Sequence, residues 1–295
     1  MGETNWRGAV ATVSAVLLGI IFLVSGGWKV LDPFKTGELL EQAKVPAGFG
    51  TLGAATLGTV ELLAAFLLFV PQVRRWGGLL GSGLIVFFLG WVAYYYSYLV
   101  GAPCRCFPLI ERTIGPGFFV GDGVMLLLGL AAFAWSAKVV SARLPLRALA
   151  GLIVLAGVSY GVNARMHGSA QVPTPVIVDG QPQNLAEGKV FLFFFDPSCM
   201  HCEAAAKFMA KLNWGDTKIV AIPTVNPQWA ASFLHDTGFK AQTSLELDKL
   251  RKAFPFVDPP YGVALLDGRV KETFTQAQFN VPLPQPDLQK LGFAK

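Results

Sequence analysis

Four cysteines stand in the 295-residue chain as two close pairs: Cys199 and Cys202 in PSCMHC, and Cys104 and Cys106 in APCRCFPLI. A CxxC pair does thiol–disulfide chemistry when its first cysteine opens a helix, because the thiolate is the nucleophile and the helix N-terminus with a neighbouring cation lowers its pKa. EAAAKFMAKL after the pair has helical spacing. Cys199 is then the exposed sulfur that attacks or is attacked, Cys202 the more buried resolving partner, and His201 the neighbouring cation. The bland alternatives are a structural disulfide or half a zinc site. Zinc needs about four ligands, and no second CxxC or HxxxH follows, so no metal is expected; Cu(I) capture by the pair is a separate alternative.

The CxC pair poses a tighter geometric problem. A disulfide wants Cα atoms about 4.4–6.8 Å apart, which residues i and i+2 reach only in a bent segment. A Cys104–Cys106 bond is therefore constrained, and constrained disulfides are more oxidising and more easily reduced. Arg105 between them favours thiolate at either neighbour. As an inert staple the bond would close so short a loop that its entropic benefit nearly vanishes.

The elements around these cysteines divide the chain in two. The composition is 53% hydrophobic and 15% charged, against about 25% charged in ordinary soluble domains. Apolar runs lie at Ala9–Gly26, Leu52–Val70, Gly77–Val92, Phe118–Ala137 and, shorter, Ala148–Val162. A span needs about 20 residues, which the first four meet with their flanks. The first run is read as a span and not as a cleaved leader, because no small-residue cleavage site follows it. Residues 1–165 hold twelve Lys/Arg against seven Asp/Glu, and 166–295 hold twelve of each. The excess flanks apolar runs, so it argues for membrane loops and against nucleic-acid binding. Arg74 and Arg75, then Lys138, Arg143 and Arg147, crowd the short connections, which places those inside along with the N-terminus. Five crossings then put the CxC loop and the C-terminal half on the outer side; four would put the two pairs on opposite faces.

Ionisable and aromatic groups in the spans are candidates for cofactor contact. Glu61 lies mid-span, where a charge is expensive and a functional role is the first expectation. It either serves a bound quinone or pairs with Lys29. Asp122 is read as opening the fourth span, a dipole partner or a proton donor. WVAYYYSYLVG is first an interfacial aromatic belt, with quinone stacking by Tyr95 as the sharper reading.

Residues 166–188 read as a linker with an Asp-Gly hairpin signal. KVFLFFF is a buried strand, TKIVAIPTV a second, WAASFLHDTG a helix ending at Gly238, and Ser244–Phe254 another helix. DPPYGVALLDGRVKETF is a hairpin turning at Asp-Gly. This half resembles a thioredoxin-fold domain of the DsbA or TlpA kind. The resemblance implies that Cys199 and Cys202 are the active-site pair, that His201 biases it toward oxidation as in a CPHC site, and that Pro260, eight residues before Gly268, is a cis-proline. Phe193 stands where many relatives bury an acid. LLGIIFLVSGGWKVLDPF, ATLGTVELLAAF and the CxCF element in order resemble the DoxX superfamily and its MauE branch, which is linked to disulfide formation in methylamine-utilisation operons. The plan is similar to vitamin K epoxide reductase–thioredoxin fusions and to the DsbB–DsbA pair.

These readings give a membrane α-helical bundle, a four-helix DoxX-like core (1–140) plus a fifth span (141–165), then a linker and hairpin (166–188) and an α/β thioredoxin-fold domain (189–295). The expected protein is a five-pass bacterial inner-membrane disulfide oxidoreductase. It would take electrons from reduced secreted or periplasmic proteins and pass them to ubiquinone or menaquinone. A TlpA-like reductant and a copper chaperone are the rival readings.

Overall fold

The structure, a computed structural model, describes residues 6–46, 48–101, 103–104, 112–137, 143–168, 170–280 and 285–295. It divides into two compact units, Met1–Asn163 and Ala164–Lys295.

The first unit is helical. In order come α1 (Trp6–Leu31), α2 (Pro33–Gln42), α3 (Gly50–Phe69), α4 (Arg74–Tyr94), the single turn α5 (Tyr96–Leu99), the two-residue strands β1 (Pro103–Cys104) and β2 (Arg112–Thr113), α6 (Pro116–Trp135) and α7 (Arg143–Gly168). Helices α1, α3, α4 and α6 form a ring in which each packs against the next and α6 returns to α1. Their shared core holds Ala15, Leu18, Phe22, Ala64, Ala65, Leu68, Ile85 and Ala132. Much of it is small, because helices in lipid gain little by burying apolar area and associate through close backbone packing. Gly26 and Gly58 make one such close approach: a Cβ on Gly26 would sit 2.8 Å from the Gly58 carbonyl oxygen. The larger apolar side chains point outward, as with Val13, Leu52 and Leu127.

Among the described residues five helices, α1, α3, α4, α6 and α7, are long and apolar enough to cross a membrane. The fifth is longer than its apolar run because Arg143, Arg147 and Arg165 extend it at both ends, where long basic stems bury while their heads reach water. Ser159 Oγ donates to the Val30 carbonyl (2.5 Å) and Asn163 Nδ2 to that of Leu31 (3.0 Å), tying α7 to the last turn of α1.

Two features of this unit differ from the sequence reading. The connection after α1 contains α2, whose N-cap Asp32 accepts the Lys35 N–H at 3.1 Å. Glu41 near its end accepts the N–H groups of Gly48 (2.8 Å) and Gly50 (3.3 Å), a carboxylate at the start of α3. Asp122 does not open α6. That helix starts at Pro116, so Asp122 lies in its second turn, with 6% exposure. The dipole role offered for it requires the first turn, where the unpaired N–H groups are.

The second unit is α/β. It contains β3 (Val176–Val178), β4 (Gln181–Gln183), β5 (Lys189–Phe195), α8 (Met200–Met209), β6 (Lys218–Pro223), a 3₁₀ turn (Pro227–Trp229), α9 (Ala230–Thr237), β7 (Gln242–Thr243), α10 (Leu247–Ala253), β8 (Tyr261–Leu266), β9 (Arg269–Phe274), α11 (Gln276–Asn280) and α12 (Gln285–Lys290). The main sheet is mixed, in the order β7-β6-β5-β8-β9. Strand β5 runs parallel to β6 and antiparallel to β8. After Lys189 the strand KVFLFFF is apolar throughout, because both faces of this central strand are covered. Phe191, Phe193 and Phe195 meet Ala205 and Met209 of α8 in one core. Val190, Leu192 and Phe194 meet Leu250 of α10 in the other.

The stretch read as linker and hairpin folds into this second core. Asp179 and Gly180 both take positive φ (49° and 77°), the turn that an Asp-Gly pair favours. Val176, Val178 and Leu185 are fully buried against Leu192 and Phe194. The hairpin is thus part of the α/β unit, whose boundary falls at Ala164. An alternating strand of three residues gives too little periodicity to show this. The helix read at Ser244–Phe254 is shorter, Leu247–Ala253.

Candidate functional site

Strand β5 ends at Phe195 and the chain turns at once. The Asp196 carboxylate accepts the Ser198 N–H at 2.7 Å, and the Asp196 carbonyl accepts the Cys199 N–H at 3.1 Å. This turn delivers Cys199 to the N-cap of α8, where its Sγ accepts the Cys202 N–H at 3.4 Å. Cys202, one turn on, is fully buried in the core under β5, and its Sγ accepts the Asp196 N–H at 3.4 Å. Both thiols are free.

The two sulfurs are inequivalent as a result. The Cys202 thiol donates to Cys199, and with the N–H groups of Cys202 and His201 and the His201 side chain it pulls the Cys199 pKa from 9.0 to about 5, against the opposing effect of partial burial. Cys202 is pushed strongly upward, first by that same hydrogen bond and then by burial. At neutral pH Cys199 is a thiolate and Cys202 a thiol.

Three other sequence candidates in this unit can be placed. His201 is exposed and acts on Cys199 by hydrogen bonding. The Pro259–Pro260 bond is cis. Pro260 immediately precedes β8, whose Tyr261 pairs with Phe194, so it lies at the end of the sheet from which the Cys199 turn departs. Phe193 is fully buried between Phe195, Phe239 and Phe279. The position is aromatic core and offers no proton relay.

In the helical unit, Lys29 and Glu61 come together. Lys29 Nζ donates to Glu61 Oε2 at 2.9 Å and to Ser25 Oγ at 2.5 Å, with both charged side chains 3% exposed. The Gly26–Gly58 approach permits it, since larger residues there would hold α1 and α3 apart. Asp122 is buried on α6. Tyr95 caps α4, its ring 5.0 Å from Trp91 and 4.8 Å edge-on to Tyr94, while Trp91 Nε1 donates to the Ala43 carbonyl. Tyr95, Tyr96 and Phe119 flank a cluster of Val92, Leu99, Ile114 and Phe118.

That cluster adjoins the two short strands, β1 and β2, that flank the CxC segment in sequence. The Gly101 N–H donates to the Ile114 carbonyl at 2.9 Å, and the backbone of β1 pairs antiparallel with β2, Cys104 opposite Arg112. Arg105 and Cys106, and with them the constrained-disulfide reading, lie outside the described residues.

Sequence reading missed Ser25, Asp196 and Trp229. Asp-Pro-Ser before a cysteine is a turn signal that could have marked Asp196. Ser25 is one helical turn before Lys29, also legible. Nothing in the sequence singled out Trp229.

Fold and site together define a membrane-spanning helical protein that carries an α/β unit with a polarised dithiol. Its helical part is a MauE-like membrane domain: residues 7–136 match the family described as methylamine utilisation protein MauE. No curated protein matches the chain.

Proposed function

We propose that the protein is a membrane thiol–disulfide oxidoreductase in which a thioredoxin-like unit oxidises substrate thiols. The observation that carries this reading is the Cys199–Cys202 asymmetry: a thiolate with pKa near 5 at a helix N-cap over a buried thiol. The strand order and the CxxC directly after the central strand support the thioredoxin-like reading.

The chemistry balances as follows. A substrate thiolate attacks Cys199 Sγ of the Cys199–Cys202 disulfide, a mixed disulfide forms, and Cys202 leaves and takes up a proton. A second substrate thiolate then attacks the substrate sulfur of that bond, and Cys199 leaves as thiolate. The substrate is oxidised by two electrons and the CxxC pair is reduced. A low leaving-group pKa speeds this last step, which favours oxidation over a TlpA-like reducing role.

Reoxidation is proposed to run through the Cys104–Cys106 disulfide by the same exchange, leaving the CxC pair as dithiol. Five candidate spans support it, since an odd number of crossings would put the CxC loop and the α/β unit on one side, which we propose is the periplasmic side of a bacterial inner membrane. A quinone would supply the final two-electron, two-proton sink. The apolar and aromatic group of Tyr95, Tyr96 and Phe119, packed on the cluster that holds Ile114, suits a quinone ring, whereas Lys29 and Glu61 satisfy each other and are assigned a structural role. The MauE match supports a membrane partner for disulfide chemistry only through the family resemblance.

The test is oxidation of the reduced CxxC pair by a short-chain quinone in purified protein, wild type against a Cys104→Ser/Cys106→Ser double variant. Quinone-dependent turnover lost in the variant supports the relay. Equal rates in both would sink the CxC step. A Cys202→Ala variant should also accumulate a Cys199 cross-link to Cys104 or Cys106, visible by non-reducing mass spectrometry.

A further inference from the structure

Beside the Cys199 turn lies a cavity of about 380 Å³ that the exchange chemistry does not use. A water takes about 30 Å³ of liquid volume, so the space admits a long side chain. Its walls come from two places: Ser198 and Glu203 flank Cys199 on the turn and on α8, and Trp229, Ser232, Phe233 and Asp236 come from the 3₁₀ turn and α9. The Glu203 N–H donates to the Cys199 carbonyl, so the cavity starts one helical turn from the reactive sulfur.

The lining has a definite chemistry. Glu203 of α8 and Asp236 of α9 both line it. Lys207 pairs with Glu203 at 2.5 Å and the His235 ring lies 3.2 Å from Asp236; both carboxylates stay open to solvent, their side chains 50% and 74% exposed, so an incoming cation can reach them. Trp229, which lines the cavity, is 58% exposed, a large aromatic residue left in water. Carboxylates beside an open indole face are the surroundings that a guanidinium or ammonium prefers, through ion pairing and cation–π contact. An anion would meet repulsion from the carboxylates, and a plain aliphatic chain would form neither the ion pair nor the cation–π contact.

We infer that this cavity is a subsite for an arginine or lysine side chain lying next to the substrate cysteine, so that the protein selects thiols in basic sequence surroundings. The inference rests on the exchange reading above and adds its substrate class. The reaction is the balanced one already given, with the Cys199–Cys202 disulfide as oxidant; the subsite contributes only to docking.

The experiment uses oxidised full-length protein in detergent and three reduced peptides with one cysteine flanked by Arg, Leu or Glu. Each rate of CxxC reduction is divided by that peptide's rate with a small neutral disulfide, which removes differences in thiol reactivity. The expected order is Arg, then Leu, then Glu, with about fivefold between Arg and Leu at low salt, the scale of an exposed ion pair plus a cation–π contact. The spread should shrink in high salt. Asp236→Lys should reverse the Arg-to-Glu preference; its side chain is 74% exposed, so the fold tolerates the change. Equal normalised rates, or an unreversed order in Asp236→Lys, overturn the subsite while exchange itself stands. If neither the peptides nor a small dithiol reduce the CxxC pair, the exchange reading fails and the subsite falls with it.

Discussion

The polarised dithiol predicts an unusual pH dependence of the reduction potential. Reducing a disulfide to two thiols consumes two protons with two electrons, so the potential falls about 59 mV per pH unit, since tenfold in a two-electron equilibrium is about 30 mV. With Cys199 titrating near 5 and Cys202 held as thiol, only one proton is taken up above pH 5, and the slope halves to about 30 mV per unit. At pH 7, lowering a pKa from 9.0 to about 5 favours the reduced form about hundredfold, or about 2.7 kcal/mol. Cys199 is only partly buried, and discounting for solvent screening leaves on the order of 1–2 kcal/mol, or about 20–40 mV toward a stronger oxidant. Because the folded value lies below the ordinary one, the reduced fold is stabilised as pH rises. The gain is complete above about 9 and lost as pH falls through about 5. As attacking nucleophile Cys199 gains little, because the higher thiolate fraction is offset by lower intrinsic nucleophilicity. The benefit is in leaving. The assay is equilibrium with glutathione buffers from pH 4 to 8.5, read by thiol trapping and mass spectrometry. A slope of about 59 mV per unit persisting to pH 8 would refute the reasoning.

Alkylation of Cys199 by iodoacetamide should follow an apparent pKa near 5, and Cys202→Ala should move it upward, since the Cys202 thiol is the largest cause of the shift; His201→Ala should move it less. Glu61→Ala should cost about 3–5 kcal/mol by leaving Lys29 buried and unpaired, seen as a lower melting temperature in detergent; a Lys29→Met/Glu61→Leu double variant should recover most of it. Gly58→Ala should cost about 1–3 kcal/mol, because its Cβ would stand 2.8 Å from Lys29 Cβ and 2.9 Å from the Gly26 carbonyl oxygen. Phe193→Ala should cost about 3–5 kcal/mol in the α/β unit by emptying a fully buried ring site, measured by urea unfolding.

What was legible in the sequence was whatever depends on local pattern. Unbroken apolar runs set five helices to within a turn or two, since lipid demands length and apolarity from each segment alone. KVFLFFF, the Asp-Gly turns at Asp179 and Asp267, and Cys199 at a helix start are likewise short-range matters of burial, positive φ and capping. The tertiary structure decided what depends on residues far apart in the chain. It joined Lys29 to Glu61 across the Gly26–Gly58 contact, moved Asp122 from a helix end into a buried second turn, and drew the Val176–Gln183 hairpin into the core beneath β5. It also brought Trp229 and Asp236, which follow Glu203 by 26 and 33 residues with a strand between, to the same cavity, and sank Cys202 beneath Cys199. Spacing alone names a dithiol; its polarity comes from where the fold admits water and where it places hydrogen-bond donors.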